Sequence, residues 1–301
     1  MTADIPAPIH AVPLRHPWRW TAAVVIVILV VLFVYGAATN EAYGWPTYAK
    51  YLFDKRISQA AWNTVQLTVL SMLLALVLGV VLGVMRLASN PVFTAVSWAY
   101  LWIFRGTPVY VQLVFWGLFP TLYNNIRIGV PFGPSFFSFS LQGLSISFIL
   151  ACIGLGLNEA AYMAEIIRTG ISSVPEGQFE ASFALGMSWW MTMRRTVFPQ
   201  AMRVIIPPTG NEVISMLKTT SLVTAVPYSL ELYGRARDIS GVIFAPIPLL
   251  LVAATWYLAI TSVLMIGQHY LERHFSHGAS RKLTSRQLEA LALARLGGPH
   301  P

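Results

Sequence analysis

Four ionisable side chains stand inside or at the ends of long apolar runs: Glu159, Glu165, Glu212 and Lys218. Asn158 and Asn211 directly precede two of them. Charge is costly in hydrocarbon, so such residues face a cavity, pair with one another, or mark the path of a solute or ion. Asn158, Glu159, Asn211 and Glu212 are therefore candidate residues of a substrate pathway. A carboxylate at the depth of Glu159 suits the amino group of a solute, or the cationic side chain of an arginine-like or lysine-like one. Asn211 and Glu212 follow shortly after Pro208. Glu212 and Lys218 are six positions apart and do not share a helix face, whereas Glu165 and Arg168, three apart, can pair locally.

Covalent chemistry finds no residues. The six histidines, His10, His16, His269, His274, His277 and His300, all lie towards the ends of the chain. None forms HExxH or can join a serine and a carboxylate in the central part of the chain. His274-x-x-His277 reads as part of a solvated tail. The single Cys152 lies in an apolar run, which excludes a disulfide framework and a CxxC metal site. Lys218-Thr219 is preceded by Met216-Leu217 and not by a glycine loop, so the chain has no P-loop for ATP. No catalytic residue, metal or cofactor is assigned to it.

The elements that must position these charges are membrane helices. Of 301 residues 56% are hydrophobic and 11% charged, with a mean hydropathy of +0.62. Spans are predicted at 18–38, 62–85, 108–119, 141–167, 204–226 and 249–270, with 121–140 and 228–248 as loops. Residues 87–104 lead into the third span. Gly36-Ala37-Ala38 offers small residues for signal cleavage, but the polar region before the first span is long for a signal peptide, and an uncleaved anchor is the reading adopted. The net charge of +8 is carried by basic residues scattered at segment ends. With a cytoplasmic N-terminus, thirteen Lys and Arg fall on the cytoplasmic side, Arg86 and Arg105 among them, against six outside. The positive-inside rule favours that orientation. No internal repeat is visible, which weakens an inverted-repeat secondary transporter.

The longest stretch of mixed polarity runs from Ala160 to Pro199. Ser172, Ser173 and Pro175 break one helix, and a short new one is predicted to start near Glu176. Phe179, Phe183 and Gly186 fall on one face at helical spacing, which suits docking into a partner's groove. Trp189-Trp190 fits a membrane interface.

Here the chain resembles a family. EASFALGM, followed twelve residues after Gly186 by FPQA, is similar to the EAA loop of bacterial ABC importer membrane subunits. AAYMAEIIRTGISSVPEGQ, Arg105-Gly106-Thr107-Pro108 and IPPTGNEVISMLKTTSL resemble the branch that imports polar amino acids, of the histidine/glutamine/arginine/opine type. The ordered set covers roughly 59–272. The resemblance implies an all-α polytopic membrane protein, a type I ABC importer-like transmembrane domain with five core spans plus one extra N-terminal span. It implies a permease subunit in the bacterial inner membrane, with both termini cytoplasmic. Phe179, Glu180, Ala181, Phe183, Ala184, Leu185 and Gly186 would couple it to a separate ATPase that holds ATP and Mg. A second permease subunit and an extracytoplasmic solute-binding protein complete the implied assembly, and nucleic acid has no place in it. Ser182 replaces the usual third Ala, Phe198 the usual Leu before Pro199, and Glu159 stands where the resemblance leads to a small residue. Outside 59–272 lie a disordered cytoplasmic segment (1–17), the extra helix (18–38) and a basic cytoplasmic tail (273–301).

Overall fold

The computed structural model describes residues 17–130 and 135–276. The expected disordered segment (1–16 of it) and most of the basic tail (277–301) lie outside the described residues. Among the described residues eleven α-helices and one hairpin follow in order. They are α1 (Pro17–Thr39), α2 (Trp45–Leu52), α3 (Lys55–Leu87), α4 (Pro91–Gly106), α5 (Val109–Leu122), β1 (Asn125–Gly129), β2 (Ser135–Ser140), α6 (Leu144–Ser172), α7 (Glu176–Ala184), α8 (Trp189–Thr192), α9 (Phe198–Thr219), α10 (Leu232–Ile243) and α11 (Pro246–Ser276).

Among the described residues four helices are long and apolar enough to cross a membrane: Trp18–Thr39, Lys55–Leu87, Ser145–Ser172 and Pro246–Phe275. Helix α1 is exposed to its surroundings along nearly all its length. It touches the rest at its end, where the Trp45 indole N–H donates to Ala37 O at 3.0 Å. Helix α9 has the length of a span, 22 residues, but carries Asn211, Glu212 and Lys218.

Helices α4 and α5 correct the predicted third span, 108–119. Each is too short to cross alone, at 16 and 14 residues. They climb α6 one after the other instead. Ser97 Oγ donates to Leu82 O near the end of α3 (2.8 Å), and Tyr100 OH to Leu157 O (2.7 Å). Asn158 Nδ2 donates to Phe104 O (3.0 Å), and beyond the break Leu113 and Trp116 close over Gly154. Helices α4 and α5 are thus the halves of one span, interrupted at Gly106-Thr107-Pro108. The number of core spans, five, stands; its members are α3, α4–α5, α6, α9 and α11. Arg105, expected in a cytoplasmic segment, sits level with Asn158 near the middle of the bundle. Without it the charge count is still twelve against six.

Close helix crossings are made by glycine. A Cβ on Gly79 of α3 would stand 2.6 Å from Met163 Cβ of α6, and one on Gly83 would stand 3.0 Å from Ala164 O. Two helices meet this closely only where side chains vanish. Gly79→Val should therefore cost about 2–3 kcal/mol of stability by overpacking. A lower unfolding temperature of the purified protein in detergent checks it, with Gly36→Val, whose Cβ would meet nothing within 4 Å, as the control.

Two segments read as loops are structured. Residues 125–140 hold the antiparallel hairpin, with a register irregularity at Ile128/Gly129. Its second strand alternates Ser and Phe over part of its length, a period-two pattern. Within 228–248 lies α10, with Leu232, Gly234, Ala236 and Ile239 buried and the helix packed on α3 and α11. Glu231 caps it: its Oε2 accepts from the backbone N–H of Tyr233 (2.9 Å) and Gly234 (3.1 Å). Its Oε1 accepts from Thr64 Oγ1 of α3 at 3.1 Å and from the Tyr257 hydroxyl of α11. This wholly buried carboxylate ties three helices at one end of the bundle. Burial pushes its pKa up, against the pull of those hydrogen bonds.

Candidate functional site

Glu159 lies thirteen residues from the end of α6 at Ser172 and fifteen from its start at Leu144. At 1.5 Å per residue it is about 20 Å from either end. Its residue surface is 7% exposed, and its Oε1 has no hydrogen-bond partner. A buried acceptor left unmade costs about 1–3 kcal/mol, more if charged, so such an atom is a sign of a ligand site. It lines a cavity of about 550 Å³ together with Arg105, Asn158, Tyr162, Glu212 and the turn from Gly106 to Val109.

The predicted pathway residues divide here. Asn158, Glu159 and Glu212 meet in the cavity. Asn211 is exposed beside Glu212 and is not among the lining residues, and neither is Lys218. Glu165 lies further along α6 and is paired with Arg168 at 2.5 Å.

Asn158 turns away from solute chemistry and into the frame. Its Nδ2 donates to Phe104 O at 3.0 Å and to Gln112 Oε1 at 3.1 Å. Gln112 Nε2 in turn donates to Phe104 O (3.0 Å), Thr107 O (3.1 Å) and Thr107 Oγ1 (2.8 Å). A broken span leaves backbone groups unpaired at both half-helix ends, and in a membrane protein's interior these need partners. The two amides satisfy the carbonyl end of α4. At the other side Pro108 occupies the N-cap of α5 and offers no side-chain cap. The first N–H groups of α5 and their positive dipole end therefore open towards the cavity. Arg105 adds a full positive charge at the cavity wall, over the Tyr162 ring at 5.3 Å. The cavity has two unlike poles: a cationic one at the break in α4–α5, and a carboxyl-lined one at Glu159 and Glu212.

Sequence reading missed Gln112 and the position of Arg105. The signal for both was present: a lone amide four residues after a Pro, inside an apolar run, is the residue type that repairs a helix break.

The second site is the turn after α6. As predicted, α6 ends at Ser172 and α7 starts at Glu176. Gly186 follows α7 at φ +72°, with Gly186 N–H donating to Phe183 O and Met187 N–H to Ser182 O. This is the Schellman ending, in which the left-handed residue is glycine for lack of a Cβ. A Cβ there would meet nothing within 4 Å.

The predicted shared face of Phe179 and Phe183 is corrected. Phe179 packs inward on the core, beside the ends of α3 and α6. Phe183 points out at 49% exposure, and Leu185 at 81%. The reason is Ser182, which is buried and bonds to Thr196 Oγ1 at 3.0 Å across the returning turn. With Ser182 and Phe179 inside, Glu180, Ala181, Phe183, Ala184, Leu185 and Gly186 form the exposed surface. The turn returns through α8 and a π-helical turn, Met193–Val197, into α9, which carries Glu212. One helix therefore joins the exposed patch to the cavity.

Comparison with known proteins places this geometry. Residues 75–277 match the family "Binding-protein-dependent transport system inner membrane component". The chain is 65% identical over 288 residues to the arginine transport system permease protein ArgU of Corynebacterium glutamicum, covering 95% of this chain and 89% of the relative. It is 37% identical over 205 residues to the histidine/lysine/arginine/ornithine transport system permease protein HisM of Escherichia coli, covering 67% and 81%. Among solved structures it is similar to a crystal structure of an amino acid ABC transporter with histidines, with a TM-score of 0.61 and 29% identity over 78% of this chain and 99% of that one. A MetNI methionine ABC transporter chain shares the fold at a TM-score of 0.55 and 17% identity, over 73% and 95%. The chain belongs to the binding-protein-dependent transport system inner membrane components, as a permease subunit of a polar amino acid ABC importer.

Proposed function

We propose that this permease imports a cationic amino acid, of the arginine class, by ATP-driven alternating access. The observation that carries the reading is Glu159, a buried carboxylate with a free oxygen in a bipolar cavity halfway along the bundle. An α-amino acid with a basic side chain has the matching charges. Its carboxylate suits Arg105 and the open N-terminus of α5, and its cationic groups suit Glu159 and Glu212. The 65% identity to a permease named for arginine agrees with that match.

The rest of the assembly follows the family. Two permease subunits, identical or homologous, form the pathway, with the cavity's open side towards the partner. Separate ATPase subunits hold ATP and Mg and dock on Glu180, Ala181, Phe183, Ala184, Leu185 and Gly186, with Phe179 anchoring that helix from within. A solute-binding protein delivers the amino acid on the outer face. Both termini are cytoplasmic, and 18–38 is retained as an extra anchor. ATP binding closes the ATPases and turns the cavity outward; hydrolysis and release reset it. This chain performs no covalent step.

The test is uptake into proteoliposomes holding the permease, its ATPase and its binding protein, with ATP on the ATPase side. Labelled arginine should accumulate only with ATP, and unlabelled lysine or histidine should compete better than glutamate. Accumulation without ATP would replace this reading with a channel or secondary transporter. Preference for glutamate would discard the role of Glu159.

A further inference from the structure

Helix α9 is built in two halves. Its first half is locked to α6: a Cβ on Gly170 of α6 would stand 2.3 Å from Ile205 Cγ1, and Ala201 lies in the same crossing. Its second half carries Glu212, Ser215, Met216 and Thr219 into the cavity. Between them stand Pro207 and Pro208, inside the helix. Each removes a backbone N–H and presses on the carbonyl one turn earlier, which weakens or bends a helix at that point. Gly210 follows, one residue before Asn211, and adds backbone freedom. The helix is therefore weakest over 207–210, between the ATPase-side turn and Glu212.

One side chain from another helix closes on that point. Gln268 of α11 donates from Nε2 to Pro207 O at 2.8 Å and to Glu272 Oε1 at 2.8 Å. Its amide packs against Gly210 oxygen-first, with Oε1 only 1.5 Å from where a Cβ would be. Any residue but glycine at 210 would displace it. Glu272, one turn along α11, holds the second N–H, so the amide is oriented from its own helix and presented to the Pro207 carbonyl.

We infer that Gln268 is a positioning residue for transport: it pins α9 at Pro207-Pro208 to α11 and so sets the angle at which α9 holds Glu212. The inference rests on the transport cycle proposed above. Movement at the ATPase-side turn reaches Glu212 only through 207–210. With the pin in place the two halves of α9 turn together about α11. Without it the first half moves and the second does not follow, and ATP hydrolysis proceeds without a matching turn of the cavity.

The test compares arginine transported per ATP hydrolysed, in proteoliposomes with binding protein, for wild type, Gln268→Leu and Gly210→Ala. Gln268→Leu keeps much of the side chain's bulk and removes the hydrogen bond to Pro207 O; Gly210→Ala keeps Gln268 but pushes its amide away. Both should lower the transport-to-hydrolysis ratio by about fivefold, the weight of one hydrogen bond in a two-state equilibrium, with hydrolysis itself retained. Spin labels on either side of 207–210 should show a broader distance distribution in both variants. A wild-type ratio in a variant that inserts and assembles overturns the inference; so does a loss of transport and hydrolysis in equal proportion, which marks a merely structural residue. Should Gln268→Leu fail to assemble, Gly210→Ala alone decides by the same ratio, and the label distances decide for the wild type against it. If the wild type shows no ATP-dependent uptake, the transport reading fails first.

Discussion

Glu159→Gln should reduce ATP-dependent arginine uptake by about thirtyfold or more while leaving assembly intact. The amide keeps the volume of the carboxylate and most of its hydrogen-bonding reach, so the cavity among Arg105, Tyr162 and Glu212 keeps its shape. What is lost is the carboxyl group's capacity to meet a cationic solute as an anion. Breaking one partner of a buried, hydrogen-bonded charge pair costs about 2–5 kcal/mol in binding, and 2 kcal/mol already corresponds to about thirtyfold. The effect should appear in uptake and in the substrate-stimulated part of ATP hydrolysis, with basal hydrolysis unchanged. It should also be selective. A neutral amino acid such as glutamine does not need the lost charge, so the variant's arginine-to-glutamine preference should fall by nearly the whole factor. Equal losses for both solutes would move Glu159 out of the binding site and into the frame. Glu212→Gln, at the partly exposed side of the same cavity, should follow the same pattern with a smaller loss.

The second large effect is expected at Gly186. Gly186→Arg should abolish transport and ATPase docking while the permease still inserts. Two costs combine. An L side chain at φ +72° carries about 1–2 kcal/mol of backbone strain. That strain loosens the turn between α7 and α8, but the turn lies outside the spans, and no neighbour would be struck, since a Cβ there has open space. Insertion should therefore survive. The exposed patch from Glu180 to Gly186 does not: a long cation beside Leu185 blocks close approach of any partner. Gly186→Ala separates the two costs. It keeps the strain without the bulk, and should retain part of the uptake and co-purify the ATPase. Co-purification with Gly186→Arg at the wild-type yield would take the docking surface away from this turn.

The main spans could be read from the chain because their signal is additive. Helices α3 and α11 consist largely of apolar residues, and each holds an 18-residue stretch apolar enough for hydrocarbon. The α6–α7 boundary was equally plain, since Pro175 acts locally. What sequence reading missed are features decided by a neighbour. Arg105 beside Gly106-Thr107-Pro108 has the local character of a span end, and it becomes the middle of a span only because Asn158 and Gln112 supply partners for the freed carbonyl groups. Helix α10 was read as a loop because Arg235, Arg237 and Asp238 dilute its apolar residues; packing of its small residues against α11 makes it a helix. Phe179 and Phe183 share a stripe by spacing, yet Ser182 rotates the helix until one is core and the other surface. At the candidate site the carboxyl-lined pole, Glu159 and Glu212, could be proposed from residue type alone. The cationic pole could not, because half of it is backbone.

The glycine crossing of α3 on α6 has a mechanical consequence. Helices that meet at Gly79 and Gly83 with no side chain between them have no room to slide. They form a stiff spine, and the first half of α9 is clamped to it at Gly170. The regular backbone is interrupted or weakened in two staves, α4–α5 at Thr107 and α9 at Pro207-Pro208, the latter held by Gln268, and both staves border the cavity. In the proposed cycle, strain entering from the ATPase side would not spread through the bundle but reach the two walls that the solute would touch. A solute that bridges Arg105 and Glu212 would splint both joints at once; an occupied permease would then be stiffer than an empty one, and the load on its ATPase would carry the information that cargo is present.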